Sequence, residues 1–301
     1  MSTLTQTMQE RDMKKVASSQ QVVKIATKTL TYAFLIFMAL IVIFPFYFML
    51  ISSVKSLAEY QEPEMTFFPR QILLSNYVDA FDKANLGALF LNTVYVGIVS
   101  TILSLVITVL SAFAFARLEF KGKDALFGAL LATMMIPGEL FTITNYVTVY
   151  NFGWMKTFTV LIVPFLVSVF YIYLLRQNFM QIPNELYLAA KVDGTSDLKY
   201  LWKVMIPLAL PTLISITILK MMGAWNSYAW PNLVNKSDTM QLITSALRNA
   251  NFSLGDGTAD ARVNYPVQMA AVTLVSLPLF MVFVFLRKYI MKGVSRSGIK
   301  G

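Results

Sequence analysis

Long apolar stretches alternate with short polar segments along this chain, and the stretches are long enough to cross a lipid bilayer. A membrane-spanning helix needs roughly 20 mostly apolar residues. Intervals without any charged residue predict four spans, at about 30–52, 92–115, 157–175 and 267–286. Two further apolar intervals, at about 126–146 and 205–225, each contain one charged residue, Glu139 and Lys220. The pattern therefore predicts an all-α, polytopic membrane protein with six transmembrane helices.

The distribution of Lys and Arg predicts how these spans are oriented. Together, segments 1–29, 116–124, 176–204 and 287–301 carry 17 of these residues, whereas the alternate loops carry 7. Positive residues accumulate on the cytoplasmic side of a membrane. We therefore expect both termini in the cytoplasm, with 1–29 as a polar arm, 30–286 as one transmembrane domain and 287–301 as a tail.

Composition excludes several classes of protein. Of the 301 residues, 56% are hydrophobic and 14% charged, whereas a soluble domain carries about 25% charged residues. That excludes a soluble globular enzyme, a disordered chain and a coiled coil. The sequence has no His and no Cys, so His-dependent triads, thiolate nucleophiles and His/Cys metal sites are absent. No phosphate-binding loop is present, so we expect no cofactor, no metal and no ATP hydrolysis by this chain. The net charge of +9 fits the cytoplasmic bias rather than nucleic-acid binding.

The polar segment 176–204 is long enough to have a structure of its own. Leu186, Ala189 and Ala190 recur at i, i+3 and i+4, which predicts a helix with one small apolar face. Gly194 is suited to the left-handed position after its end, and a second short helix follows. The result is a helix-turn-helix on the cytoplasmic surface. An amphipathic interfacial linker is the alternative, but lipid-facing helices favour bulkier apolar residues.

The residues of this segment resemble the coupling loop of binding-protein-dependent ABC importer permeases, in particular the maltose/oligosaccharide branch. The matching run is Ile182-Pro183, Glu185-Leu186, Ala189-Ala190-Lys191-Val192-Asp193-Gly194, Ile206-Pro207-Leu208 and Pro211. The resemblance extends over roughly 85–301. Its other motifs are Ser111–Leu118, Phe120–Lys123, Met135-Ile136-Pro137, Trp225-Asn226, Trp230-Pro231 and the tail Gly293–Gly301.

This resemblance implies the type I ABC importer permease fold in a bacterial cytoplasmic membrane and the transport of a carbohydrate by alternating access. The family pattern favours an oligosaccharide as that carbohydrate. It implies four partners: a second homologous permease, a dimeric ATP-binding subunit, an extracellular solute-binding protein and the sugar. The residues implied in coupling to the ATPase are Glu185, Leu186, Leu188, Ala189, Ala190, Asp193 and Gly194. Tail residues Gly298, Lys300 and Gly301 are implied in contact with the ATPase; the alternative is a simple positive anchor.

One position departs from the family pattern. Leu188 stands where the family has a glutamate that helps to dock the loop on the ATPase. Glu185 lies three residues earlier and so shares the same helix face. Either Glu185 takes over the docking role or the contact is apolar in this chain.

Two further sets of residues are candidates for the transport path. Trp225, Asn226 and Tyr228 cluster at the outer end of the fifth span, where they either contact sugar or form an interfacial aromatic belt. Glu139 and Lys220 lie at similar depth and predict an intramembrane ion pair; alternatively Lys220 snorkels outward and Glu139 is hydrated. If both serve as ion-coupling groups, the chain is an ion-coupled secondary transporter, which is the alternative function.

Overall fold

The computed structural model describes residues 2–235, 240–250, 252–254 and 262–295 of the 301-residue chain. Its first part contains α1 (Ser2–Ser53), α2 (Leu57–Tyr60), α3 (Ser75–Lys83), α4 (Leu86–Arg117), α5 (Lys123–Thr133), a 3-10 turn (Gly138–Phe141), α6 (Thr142–Asn151), α7 (Phe158–Ile162) and a second 3-10 turn (Val163–Phe165). Its second part contains α8 (Val169–Met180), α9 (Asn184–Val192), α10 (Asp197–Tyr200), a π-helical turn (Leu201–Met205), α11 (Ile206–Leu208), α12 (Leu210–Trp225), α13 (Ala229–Val234), α14 (Ile243–Asn249), the antiparallel two-residue strands β1 (Ser253–Leu254) and β2 (Arg262–Val263), and α15 (Tyr265–Ser295).

Three helical stretches in the described residues are each apolar and long enough to cross a membrane alone: Val23–Ser53, Leu86–Arg117 and Tyr265–Arg287. Three further stretches are bent pairs of helices. The bend is 87° between α5 and the segment Gly138–Asn151, 45° between Phe158–Phe165 and α8, and 80° between Asp197–Leu208 and α12. The count reaches six if each bent pair is one span, so the predicted number stays a prediction.

Several predicted boundaries differ from the structure. Residues 2–29, most of the predicted polar arm, are helical and continuous with the first span, because one helix runs from Ser2 to Ser53. The last membrane-length stretch ends at Arg287, close to the predicted 286, while its helix α15 continues to Ser295. Straight spans were predicted at about 126–146 and 157–175, and both are broken, near Pro137 and at residues 166–168. A long interval without charged residues predicts which part of a helix is apolar. Where the helix bends depends instead on proline and on backbone hydrogen bonds that are lost.

Helix α4 lies at the centre of the packed body, against α8 and α12. Its buried side is mostly small or hydroxyl-bearing, and it includes Thr93, Gly97, Ser100, Thr101, Ser104, Thr108 and Ala112. Small residues let neighbouring helices approach closely, which is how helices associate in membranes without help from the hydrophobic effect. The hydroxyls of Thr93 and Ser100 bond the carbonyls of Leu89 and Gly97 in the preceding turn of the same helix.

Helix α1 is placed differently. Every side chain from Val23 to Phe46 is exposed, and α1 packs along α15 at one side of the body. The C-terminal end of α1 is held by polar contacts. The amide of Asn76, on α3, donates to the carbonyls of Ser53 and Lys55, each at 2.9 Å. The apolar, exposed surface of α1 is what a lipid-facing helix requires.

The close approach of α4 and α12 can be tested at Gly97. A Cβ atom there would lie 3.3 Å from the Met221 sulfur, so a leucine would overpack this contact. We expect Gly97→Leu to lower stability by about 1–3 kcal/mol, and the melting temperature of the detergent-purified protein by roughly 2–5 °C.

The matched control is Gly128→Leu on α5, where a Cβ meets nothing within 4 Å. We expect that variant to melt within about 1 °C of the wild type. Equal melting temperatures for the two leucine variants would contradict the close α4–α12 contact.

Candidate functional site

The helix pair α9–α10 is anchored to the body by one buried tyrosine, Tyr187. Its side chain is only 5% exposed. Its ring packs against Tyr200 at 5.2 Å and edge-on against Phe113 of α4 at 6.5 Å, between ring centroids. Its hydroxyl donates to Asp197 Oδ1 at 2.8 Å, which links α9 to α10. Burial and the hydrogen bond to Asp197 raise the pKa of the Tyr187 phenol, so it stays protonated and donates.

A second anchor joins the end of α8 to α4. The guanidinium of Arg117, the last residue of α4, donates through Nη2 to the carbonyls of Phe179 and Ile182. Carbonyls at a helix end have no partner within the helix, so a cation there satisfies them. Arg176 makes the reciprocal contact, with its Nε donating to Phe115 O at 3.1 Å. The helix pair therefore begins from a point fixed on α4.

The turn between α9 and α10 requires glycine. Gly194 has φ +67°, in the left-handed region. Its N–H donates to Lys191 O, and the N–H of Thr195 donates to Ala190 O. These two bonds form a Schellman motif, which satisfies the last carbonyls of α9. The predicted left-handed glycine is confirmed.

The outer face of this helix pair is apolar and exposed. Of the predicted coupling residues, Glu185, Leu186, Leu188, Ala189, Asp193 and Gly194 are exposed, and Ala190 is half-buried against the core. Val192 on the same helix is 88% exposed, and Trp202 in the next turn is 66% exposed. We call Leu186, Leu188, Val192, Leu198 and Trp202 the coupling surface. The predicted tail residues Gly298, Lys300 and Gly301 lie outside the described residues.

A cavity of about 550 Å³ opens between α4, α8, α12 and α13. Aromatic rings, hydroxyls and one amine line it, including Tyr171, Tyr228, Trp230, Ser100, Ser168 and Lys220. Trp230 is held in place by its indole N–H, which donates to Val160 O at 2.9 Å, and by the edge of the Phe165 ring. The cavity lies beside the break at residues 166–168, so the walls include both a bent helix and a straight one.

Of Trp225, Asn226 and Tyr228, the aromatic set predicted for the transport path, only Tyr228 lines this cavity. Trp225 does not, because it is buried against Phe90 and donates to Val275 O. Asn226 caps its own helix by donating to Met222 O. Trp225 therefore packs in the core and not in the cavity wall, since a helix residue is placed by the face it presents and not by its proximity in sequence to Tyr228.

The predicted ion pair does not form. Within the described part of the chain the one ion pair joins Arg70 to Glu62. Glu139 is exposed in the 3-10 turn after Pro137, where the 87° bend turns the chain away. Lys220 instead donates to Phe165 O, the carbonyl that precedes the break before α8. A helix break frees carbonyls, and a lysine is a suitable donor for them.

Sequence reasoning missed the residues on the hidden sides of these elements. Tyr187 sits between Leu186 and Leu188 and was passed over, although an aromatic residue one turn before Lys191 on a short helix is a signal for an anchor. Tyr171 and the serines of the cavity gave no local signal, because hydroxyls are common in membrane helices.

Residues 84–296 match the family described as binding-protein-dependent transport system inner membrane component. The chain belongs to this family. It is therefore a membrane-embedded transport component that works with a binding protein, and the resemblance drawn from its coupling loop is confirmed.

Similar proteins share the fold over almost their whole length. The arabinooligosaccharides transport system permease protein AraQ of Halalkalibacterium halodurans is 28% identical over 276 residues, 91% of this chain and 95% of AraQ. The diacetylchitobiose uptake system permease protein NgcG of Streptomyces coelicolor is 28% identical over 271 residues, 89% of this chain and 87% of NgcG. A chain in the crystal structure of a bacterial ABC transporter that imports the acidic polysaccharide alginate superposes with a TM-score of 0.79 at 23% identity, covering 90% of this chain and 97% of that one.

The Tyr187 anchor can be tested by removing a single oxygen atom. Tyr187→Phe keeps the ring and loses the bond to Asp197. A hydrogen bond to a charged group contributes about 1.5–3 kcal/mol, so we expect amide exchange in residues 184–200 to become at least about tenfold faster. Mass spectrometry of deuterium uptake measures it. Tyr150→Phe, at a 63% exposed position on α6, is the control and leaves these amides unchanged. Equal exchange in Tyr187→Phe and wild type would show that the hydroxyl does not hold the pair together.

Proposed function

We propose that this chain is the permease subunit of an ATP-driven importer that moves a carbohydrate, an oligosaccharide as in its named relatives, by alternating access. It makes and breaks no covalent bond. The observation that carries the proposal is the coupling surface. Bulky apolar side chains stay exposed there, on helices fixed to α4 by Tyr187, which packs against Phe113, and preceded by a helix end that is bonded to Arg117. Exposed apolar side chains on helices that are fixed to the rest of the protein are typical of a docking surface for another protein.

The partner at this surface is, in our proposal, a dimeric ATP-binding subunit. Leu188 is 54% exposed, which supports an apolar contact at the position where the family has a glutamate. Glu185 is exposed in the first turn of the same helix and is available for a charged contact beside it. Both can act together, since residues three apart share a helix face. The tail residues Gly298, Lys300 and Gly301 are proposed as a second contact with the ATPase.

The remaining partners are a second homologous permease, an extracellular solute-binding protein and the sugar. The cavity beside Lys220 is the proposed sugar path, because aromatic rings stack on sugar faces and hydroxyls bond sugar hydroxyls. We propose that both termini are cytoplasmic, since the Lys and Arg count supports that orientation. The relatives named for arabinooligosaccharides and diacetylchitobiose support a carbohydrate as the cargo.

Reconstituted transport tests the function. The chain is co-expressed with an ABC ATPase and a second permease of the same family from its host, placed in liposomes, and supplied with a solute-binding protein from that host and labelled oligosaccharides. We expect uptake that requires ATP and binding protein and continues when an ionophore collapses the ion gradients. Uptake that follows an ion gradient and ignores ATP would instead support the ion-coupled transporter.

The left-handed turn of the coupling loop gives a matched pair of variants. Gly194→Val places a β-branched residue at φ +67°, where a non-glycine residue costs about 1–2 kcal/mol or more. We expect ATP-driven uptake to fall about tenfold while membrane insertion is unchanged. Gly194→Asn is the control, because Asn tolerates the left-handed region, and it retains most of the uptake. Normal uptake by Gly194→Val would contradict a role for this turn in coupling.

A further inference from the structure

Lys220 is the charged residue of the cavity, and its environment does not neutralise it. Its ammonium has three donors. One of them goes to Phe165 O, and among the described residues no carboxylate forms an ion pair with it. A charge within a transmembrane segment is costly unless it is paired or serves a function. Capping one backbone carbonyl needs a donor but does not need a full positive charge.

The lining of the cavity is matched to one kind of ligand. Its described lining residues include four aromatic rings and three serines, but no Asp, Glu, Asn or Gln. A neutral sugar is rich in hydroxyl donors, and an ionised carboxylate is a stronger acceptor for them than a serine hydroxyl, which both donates and accepts. This site offers rings, hydroxyls and an ammonium instead. A ligand that brings its own negative charge fits that chemistry better.

A second cation lies at the edge of the same site. The guanidinium of Arg248, on α14, lies over the Tyr228 ring, with 4.5 Å from Cζ to the ring centroid. Tyr228 lines the cavity, so the positive charge of Arg248 is held one ring away from it. Charged groups of one sign around a low-dielectric cleft raise the local concentration of ligands of the opposite sign.

We propose that this cavity binds a carbohydrate that carries a carboxylate, and that Lys220 recognises the anionic group. The inference rests on the proposed function and deepens it by assigning the class of sugar. The cavity volume of about 550 Å³ lies within the range of small-ligand sites. The carboxylate displaces Lys220 from the Phe165 carbonyl or shares the ammonium with it, while the aromatic rings contact the sugar faces.

The test uses the whole transporter complex in nanodiscs of phosphatidylcholine and two matched probes. Labelled trigalacturonate carries three carboxylates, and its fully methyl-esterified form has the same rings and linkages without the charge. We expect the wild type to bind trigalacturonate at least tenfold more tightly than the ester. Lys220→Gln brings the two affinities to within about threefold, and Lys220→Arg keeps the preference.

Two glycines provide the spatial control. A Cβ at Gly223, in the cavity wall, meets nothing within 4 Å, so Gly223→Phe adds a ring to this wall from a backbone position with room for a side chain. We expect it to abolish trigalacturonate binding. Gly128→Phe, on α5 and outside the cavity, leaves binding unchanged. Melting temperatures of all variants are measured first, so that loss of binding is read only for folded complexes.

Three outcomes overturn the inference: no trigalacturonate binding by the wild type, equal affinity for the ester, or an unchanged preference in Lys220→Gln. Loss of binding when phosphatidylglycerol is added to the nanodiscs also overturns it, because the cavity is then a site for anionic lipid. ATP-driven uptake of neutral maltotriose that is equal in wild type and Lys220→Gln removes the inference but leaves the proposed function standing. Failure of ATP to drive uptake of any sugar removes the proposed function itself.

Discussion

The close packing of α4 against α8 and α12 is the contact on which both candidate sites depend. It works because the buried side of α4 carries glycine, alanine and small hydroxyl residues, so that helices approach without bulky side chains between them. Ser100 of α4 lines the cavity, and Phe113 and Arg117 of the same helix hold the coupling loop. Between Ser100 and Phe113 the helix rises about 20 Å. One continuous helix therefore runs from the cavity to the segment 176–204 and contacts both.

Broken helices surround this straight one, and their breaks fall where function is proposed. The bend at 166–168 forms a cavity wall, and the 80° bend before α12 lies directly after the coupling helices. Non-helical backbone at membrane depth is tolerated where it is buried or lines a cavity, because its polar groups still need partners. Lys220 supplies such a partner to Phe165 O. The straight α4 is therefore packed against helices that are bent or follow a bend.

The sequence predicted the apolar stretches and the left-handed turn at residue 194 well, because uncharged length and glycine leave local signals. Leu86–Arg117 and Gly194 are examples. It predicted the cavity poorly. Trp225 and Tyr228 are three residues apart, yet one packs in the core and the other lines the cavity. Which face of a helix meets a neighbour depends on helices distant in sequence, and no local pattern encodes that. The same reason applies to Lys220. Its depth in the span predicts Glu139 as its partner, whereas in the structure its ammonium donates to Phe165 O.

The exposure of α1 has a consequence for how the chain is divided. The hydrophobic clusters of the described residues begin at Tyr77 and Ala80, close to residue 84 where the family match begins. Between Val23 and Phe46 no side chain of α1 is buried among them. The free energy that holds the packed body together therefore resides in the part of the chain that follows α1. In thermodynamic terms α1 is an accessory span, held by its packing along α15 and by the bilayer and not by a shared apolar core. Its exposed side chains between Val23 and Phe46 can therefore be changed without lowering the stability of the packed body.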